Sequence, residues 1–125
     1  MKTWIVLLAL VCSGCSAIAP RDDWSTDSTV AEVAFQLSNT IDAFQTARIQ
    51  HRADLAEGEN LARFVLGREP STRDTAVYFA TVGVSHYLIS RALPAKWRPW
   101  FQGASLIYSG TIVVTNCTQH RLLCE

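Results

Sequence analysis

Few residues in this chain have a type and setting that could do chemistry, and His86 is the most conspicuous. It interrupts "TAVYFATVGVSHYLISRAL" (Thr75 to Leu93), a run that is otherwise apolar nearly all round apart from Arg91. An ionisable group among apolar neighbours is costly unless a partner satisfies it. Asp42 on the first long helix is the expected partner, with Tyr87 or Gln102 as other candidates; the plain alternative is a neutral histidine held by a neighbour inside a helical bundle. Cys117 and Cys124 stand seven apart with His120 between them. In an oxidising compartment the two thiols could close a small disulfide loop. A metal reading is weaker, because a site needs three or four ligands and no CxxC or HxxxH spacing supplies them. Glu57 and Glu59 would need burial to act as an acid–base pair, and they lie in a charged connector with His51. Ser71, Ser85 and Ser90 lack a G-x-S-x-G context. No phosphate loop, dinucleotide fingerprint or HExxH motif is present. The sequence therefore gives no reason to expect an enzyme or a cofactor.

The positioning framework is small. At 125 residues the chain has room for one domain. Eleven Lys and Arg balance eleven Asp and Glu. That neutrality argues against nucleic-acid partners, which usually demand a basic excess.

The N-terminus locates the chain. Lys2 precedes the apolar stretch "WIVLLALV" (Trp4 to Val11), which has signal-peptide length and is too short for a bilayer span of about 20 residues. Ser13 and Gly14 directly before Cys15 resemble a bacterial lipobox, in which the cysteine is acylated and becomes the first mature residue. Cys12 departs from that pattern, standing where an aliphatic residue is usual. Ordinary secretory cleavage after Ala17, or less readily Ala19 ahead of Pro20, is one alternative; an uncleaved anchor is another. On the lipoprotein reading, residues 1–14 are the signal, 15–28 a polar tether and 29–125 one small helical domain. Ser16 resembles the sorting pattern for an outer membrane. The basic turn "RALPAKWR" instead suits an inner-membrane hairpin with that turn opposite the acylated end.

Periodicity predicts an all-α fold: a signal helix, an amphipathic helix, a short helix and an apolar helical hairpin. Helices are expected at about 29–51, 59–66, 72–93 and 97–116. Thr29 and Glu32 have capping-box spacing, and Val33, Leu37, Ile41 and Phe44 form one helical face opposite Asn39, Asp42, Thr46 and Gln50. Gly67 is a left-handed cap, and Ser71 with Asp74 opens the next helix. "WFQGASLIYSGTIVV" is also apolar on most sides, and a chain this small cannot bury two such helices, which favours a membrane hairpin over the alternative of a compact soluble or lipid-surface bundle. Ala76, Ala80 and Gly83 on one helix, and Ser105, Ser109 and Gly110 on the next, suit close helix–helix approach. Trp97, Trp100 and Tyr87 gather at the turn like an interfacial aromatic belt.

"DAFQT" (Asp42 to Thr46), "GEN", "LGREPS" (Leu66 to Ser71), His86, "LPAKWRPWFQ" and Asn116 together resemble small uncharacterised helical membrane proteins of proteobacteria and their phages. Those share D-x-x-Q-T, E-x-N, LG-x-x-PS, a histidine on the second long helix and LP-x-x-WR. This chain departs by having Leu61 where proline commonly follows the Asn, and by extra residues before the LG. The resemblance implies a polar cluster of Asp42, Gln45, Thr46, Glu59, Asn60 and His86 between helices, and no activity. The expectation is an envelope lipoprotein anchored to membrane lipid through Cys15 and facing the periplasm, with a structural or partner-binding role. A superinfection-exclusion protein of phage type is one alternative. An intramembrane acid–base or metal enzyme using His86 with Asp42 or Glu59 is the other.

Overall fold

The computed structural model describes residues 23–49, 61–67 and 71–120. Over these residues the protein is all helical: α1 (Thr26–Ile49), the short α2 (Leu61–Leu66), α3 (Thr72–Ala92) and α4 (Arg98–His120). Cys15, Glu59, Asn60 and Cys124 lie outside the described residues, as do the leader and residues 15–22; residues 23–28, expected as the end of a polar tether, instead pair Asp23 with Arg98 and form the cap and first turn of α1.

Local chemistry explains the boundaries. Ser71 caps α3: its hydroxyl accepts from the Asp74 amide at 3.1 Å and donates to the Asp74 carboxylate at 2.8 Å. That reciprocal pair satisfies a donor the first turn would otherwise leave open. Gly67 follows α2 with φ of 83°, the left-handed conformation a glycine cap supplies. Pro94 closes the turn after α3, its carbonyl accepting from the amides of Trp97 at 2.9 Å and Arg98 at 3.1 Å. Pro99 falls in the first turn of α4, where a missing amide hydrogen costs no helical bond. The start of α1 differs from expectation. Ser25 is the cap, accepting from the Ser28 amide at 3.1 Å. Thr29 already lies inside the helix, its hydroxyl accepting from Trp24 Nε1 at 2.9 Å. Glu32 is thereby released from any capping duty.

The helices form a three-membered bundle centred on α1. Gln36 and Asn39 reach the carbonyls of Gly83 and Phe79, so α1 and α3 run antiparallel. Gln102 meets Ser28 while Asn116 meets Gln45, so α1 and α4 run parallel. Both α3 and α4 pack chiefly on α1 and touch each other little. The expected self-contained hairpin is thus replaced by two helices flanking a third. One consequence concerns topology. Arg98 binds Asp23, which places the start of α1 beside the α3–α4 turn. A membrane topology with these two points on opposite sides is incompatible with all three helices crossing as this bundle.

Burial is inverted relative to a water-soluble core. Among the described residues, the only large apolar side chains that are buried are Phe35 and Phe79. The interior is otherwise Glu32, Asn39, Asp42, Gln45, Thr46, Thr75, His86, Ser90, Arg98 and Gln102, with Ser28 and Ser109. The stripe Val30, Val33, Leu37, Ile41 and Phe44 does share one face, as its spacing predicts, but that face points outward, with Leu37 61 % and Phe44 62 % exposed. Ala76 and Ala80 are also exposed, while Gly83 is buried. Among the described residues no helix is long and apolar enough to cross a membrane.

Candidate functional site

The interior polar groups form two clusters strung along α1. The first surrounds the Glu32 carboxylate. His86 Nδ1 on α3 lies 3.1 and 3.0 Å from its two oxygens. Gln36 Nε2 donates to it at 2.7 Å, and Gln102 Nε2 on α4 at 3.4 Å. Each amide makes a second bond, Gln36 to the Gly83 carbonyl at 2.9 Å and Gln102 to the Ser28 carbonyl at 3.1 Å. One carboxylate therefore ties three helices together. Gly83 leaves room for the Gln36 amide: a Cβ there would stand 2.6 Å from Gln36 Oε1.

The imidazole of His86 is sandwiched. Phe35 stacks on one side with ring centroids 3.6 Å apart, and Phe101 stacks at 4.8 Å. A carboxylate accepts, so Nδ1 carries the proton toward Glu32. Nε2 is then a lone pair in the neutral ring or a second N–H in the imidazolium, and it is buried with no hydrogen-bond partner. Carboxylate-oriented imidazole is the supporting half of a nucleophile activator or a metal ligand. The other half is missing nearby: among the described residues no three His, Cys, Asp or Glu side chains converge to hold a metal.

The second cluster lies toward the other end of α1. Asn116 Nδ2 donates to Gln45 Oε1 at 3.2 Å and approaches Asp42 Oδ1 at 3.4 Å. Gln45 Nε2 donates to the Val113 carbonyl at 3.3 Å and lies 3.4 Å from Cys117 Sγ. Cys117 is disulfide-bonded. The pairing expected with Cys124 involves a residue outside those described. Thr46 and Thr75 are also buried here, and both hydroxyls lack a partner. That is unusual for this chain. Thr29, Thr40, Thr81, Thr111 and Thr118 all return their hydroxyls to the carbonyl four residues earlier.

Asp42 is therefore not the partner of His86. The antiparallel register sets Gln36 beside Gly83 and Asn39 beside Phe79, which brings Glu32 level with His86. Asp42 falls ten residues further on, about 15 Å along the helix at 1.5 Å per residue. The single cluster implied by the resemblance divides accordingly: Asp42 and Gln45 turn to α4, and His86 joins Glu32. Glu32, read as a capping residue, and Gln36 are the members that local spacing misassigned or missed; Gln102, a candidate partner of His86, meets the same carboxylate.

At the end of the bundle that carries the turn, Arg98 is 1 % exposed and fully engaged. Its guanidinium donates to the carbonyls of Ser90, Leu93 and Asp23 and to the Asp23 carboxylate at 2.9 Å. This ion pair and hydrogen bond hold the Asp23 carboxyl below the usual carboxylate range. Trp24 lies between Arg91 and Arg98, with guanidinium carbons 4.9 and 5.1 Å from its ring centroid. Comparison of the chain with protein-family models, curated proteins and solved structures finds no match.

Proposed function

We propose that this protein is a membrane-associated envelope lipoprotein that works as a structural or partner-binding element, with its helical bundle embedded in lipid. The observation that carries this reading is the inverted burial: apolar side chains outside, amides and ions inside. In water such a bundle would expose its apolar shell at roughly 25 cal/mol per Å2. In lipid that cost disappears, and polar contacts between helices supply the cohesion that the hydrophobic effect cannot.

The exposed apolar residues lie on all three long helices, on Leu37, Val84 and Ile107 alike, which suits a surrounding solvent better than one docking partner. In α1 many of the polar residues that hold down hydropathy are turned inward, Glu32, Asn39, Asp42, Gln45 and Thr46 among them. At 24, 21 and 23 residues the long helices have lengths of about 36, 31 and 34 Å, matching a hydrocarbon slab of about 30 Å. Exposed Trp97 and Trp100 sit at the turn, the depth at which aromatic belts form. The lipobox-like Cys15 favours an envelope location.

Metabolic labelling with a radioactive fatty acid tests the anchor: label should appear in the wild type and vanish in Cys15→Ser. Alkaline carbonate tests the bundle separately. Cys15→Ser should stay in the membrane pellet, and release to the supernatant would defeat the embedded reading. An acid–base reading built on His86 with Asp42 loses its geometry, because the two belong to different clusters. Phage challenge of cells expressing the protein separates a superinfection-exclusion role from a purely structural one.

A further inference from the structure

The residues just ahead of α1 are fastened to the α3–α4 turn. Arg98 donates to the carbonyl and to the carboxylate of Asp23, both at 2.9 Å. Trp24 lies between the guanidinium groups of Arg91 and Arg98 and meets the Tyr87 ring edge-on, with centroids 6.1 Å apart. Cys15 stands eight residues before Asp23. Fully extended, that length reaches about 27 Å at 3.4 Å per residue. A hydrocarbon slab is about 30 Å thick. Arg21 and Asp22, on the way, would have to lie inside the slab for the chain to cross it, which is costly for charged groups.

We infer that the turn end of the bundle docks on the phospholipid headgroups of the leaflet that holds the Cys15 acyl chains, at the periplasmic face, so that the far ends of α1 and α4 meet the cytoplasmic face. The inference rests on the embedded, acylated reading above. It reverses the topology that the basic turn suggests by composition alone, and the reason lies in how those cations are used. Arg98 is 1 % exposed with its charge matched by Asp23, and Arg91 is committed to Trp24. Of the turn's three basic residues only Lys96 is exposed. Exposed Trp97 and Trp100 flank it. Indoles settle at the headgroup level, and an ammonium beside them pairs with lipid phosphate. The opposite end is the more basic. Without Lys2, lost with the signal, ten of the eleven Lys and Arg remain. Six of these, Arg48, Arg52, Arg63, Arg68, Arg73 and Arg121, belong to that end or to the segments joined to it. Counted as Lys and Arg alone, this bias directs that end to the cytoplasm. Half-buried Cys117 stays about 4.5 Å inside the end of α4 at 1.5 Å per residue, where water-borne reductants meet its bond poorly.

The full-length chain carries its own probes. Lys96 is the only lysine after Cys15, so an impermeant amine-reactive biotin reports the side of the turn. Intact spheroplasts should show Lys96 tagged as fully as after lysis, and Lys96→Arg should remove the tag. Trp24, Trp97 and Trp100 are the only tryptophans after Cys15, and all lie at the turn end, so their fluorescence reports its depth. In vesicles, a spin label on the phospholipid headgroup should quench them more than one at the acyl terminus. A phosphatase that is active only outside the cytoplasm, fused after Glu125, should be silent. Lys96 tagged only after lysis, stronger quenching by the acyl label, or an active phosphatase fusion overturns the inference. So does quenching by neither label, the result for a turn covered by another protein. Carbonate extraction of Cys15→Ser tells the two failures apart: a pelleted protein with Lys96 shielded until lysis defeats only the orientation, whereas a released protein defeats the embedded reading with it.

Discussion

Near the start of α1, Glu32 gathers donors from all three long helices, and two phenyl rings close over its histidine partner. Toward the other end, Asp42 and Gln45 engage α4 through Asn116, while Thr46 and Thr75 keep buried hydroxyls without partners. The first cluster is wired across all three long helices, whereas the hydrogen bonds of Asp42, Gln45 and Asn116 described above join α1 to α4. Their contrast suggests a division of labour. A buried carboxylate with three donor residues sets register, because no slipped pairing of helices would reproduce it.

Breaking the wired end should have the largest effect. Glu32→Ala leaves His86 buried beside two aromatic rings with no carboxylate, and loss of one partner from a buried pair typically costs about 3–5 kcal/mol. Thermal unfolding in detergent should register this as the steepest fall in Tm of any single substitution here. Arg98→Gln comes next. It strips the charge from the group that closes the turn end, and with its carboxylate partner Asp23 exposed a net loss of about 2 kcal/mol is expected. Arg98→Lys should rescue little, since a point charge cannot span Ser90, Leu93 and Asp23 as the guanidinium fork does.

Asn116→Ala probes the second cluster. It removes the amide linking Asp42 and Gln45 to α4, and about 1 kcal/mol is expected. An effect as large as that of Glu32→Ala would erase the distinction between the two clusters. Gly83→Ala is expected to be comparably mild, because the added methyl displaces Gln36 from Gly83 while His86 and Gln102 still hold Glu32. The smallest effect concerns pH. Asp23 has a lowered folded-state pKa, so its contribution is complete above the unfolded value near 4 and is lost as pH falls through the folded one. Asp23→Asn should flatten the acid limb of a Tm-against-pH curve and change little at neutral pH.

Much of the fold was legible because its punctuation is local. Ser71 with Asp74, Gly67, Pro94 and Pro99 act through bonds within a turn, and the helix ends fall close to where those residues place them. The 3–4 rhythm of Val30, Val33, Leu37, Ile41 and Phe44 was equally legible as a shared face. Its direction was not, since periodicity carries no sign: it groups residues without saying which group meets solvent. The expectation that apolar means inward assumes water outside. The wired cluster was hidden for a different reason. Glu32 and His86 are 54 residues apart, and only the antiparallel register of α1 on α3 makes them neighbours. The capping-box spacing of Thr29 and Glu32 offered a local explanation for the acid, which Ser25 pre-empts.

The inverted burial can be read out directly with a photoactivatable diazirine phospholipid in vesicles containing the full-length protein, followed by peptide mapping of the tagged residues. The account predicts tags on the outward residues Leu37, Ile41, Phe44, Ile107 and Val114, and none on Gln45, Thr46 or Gln102. An α1 stripe that stays untagged while the same vesicles label a control membrane protein would contradict it.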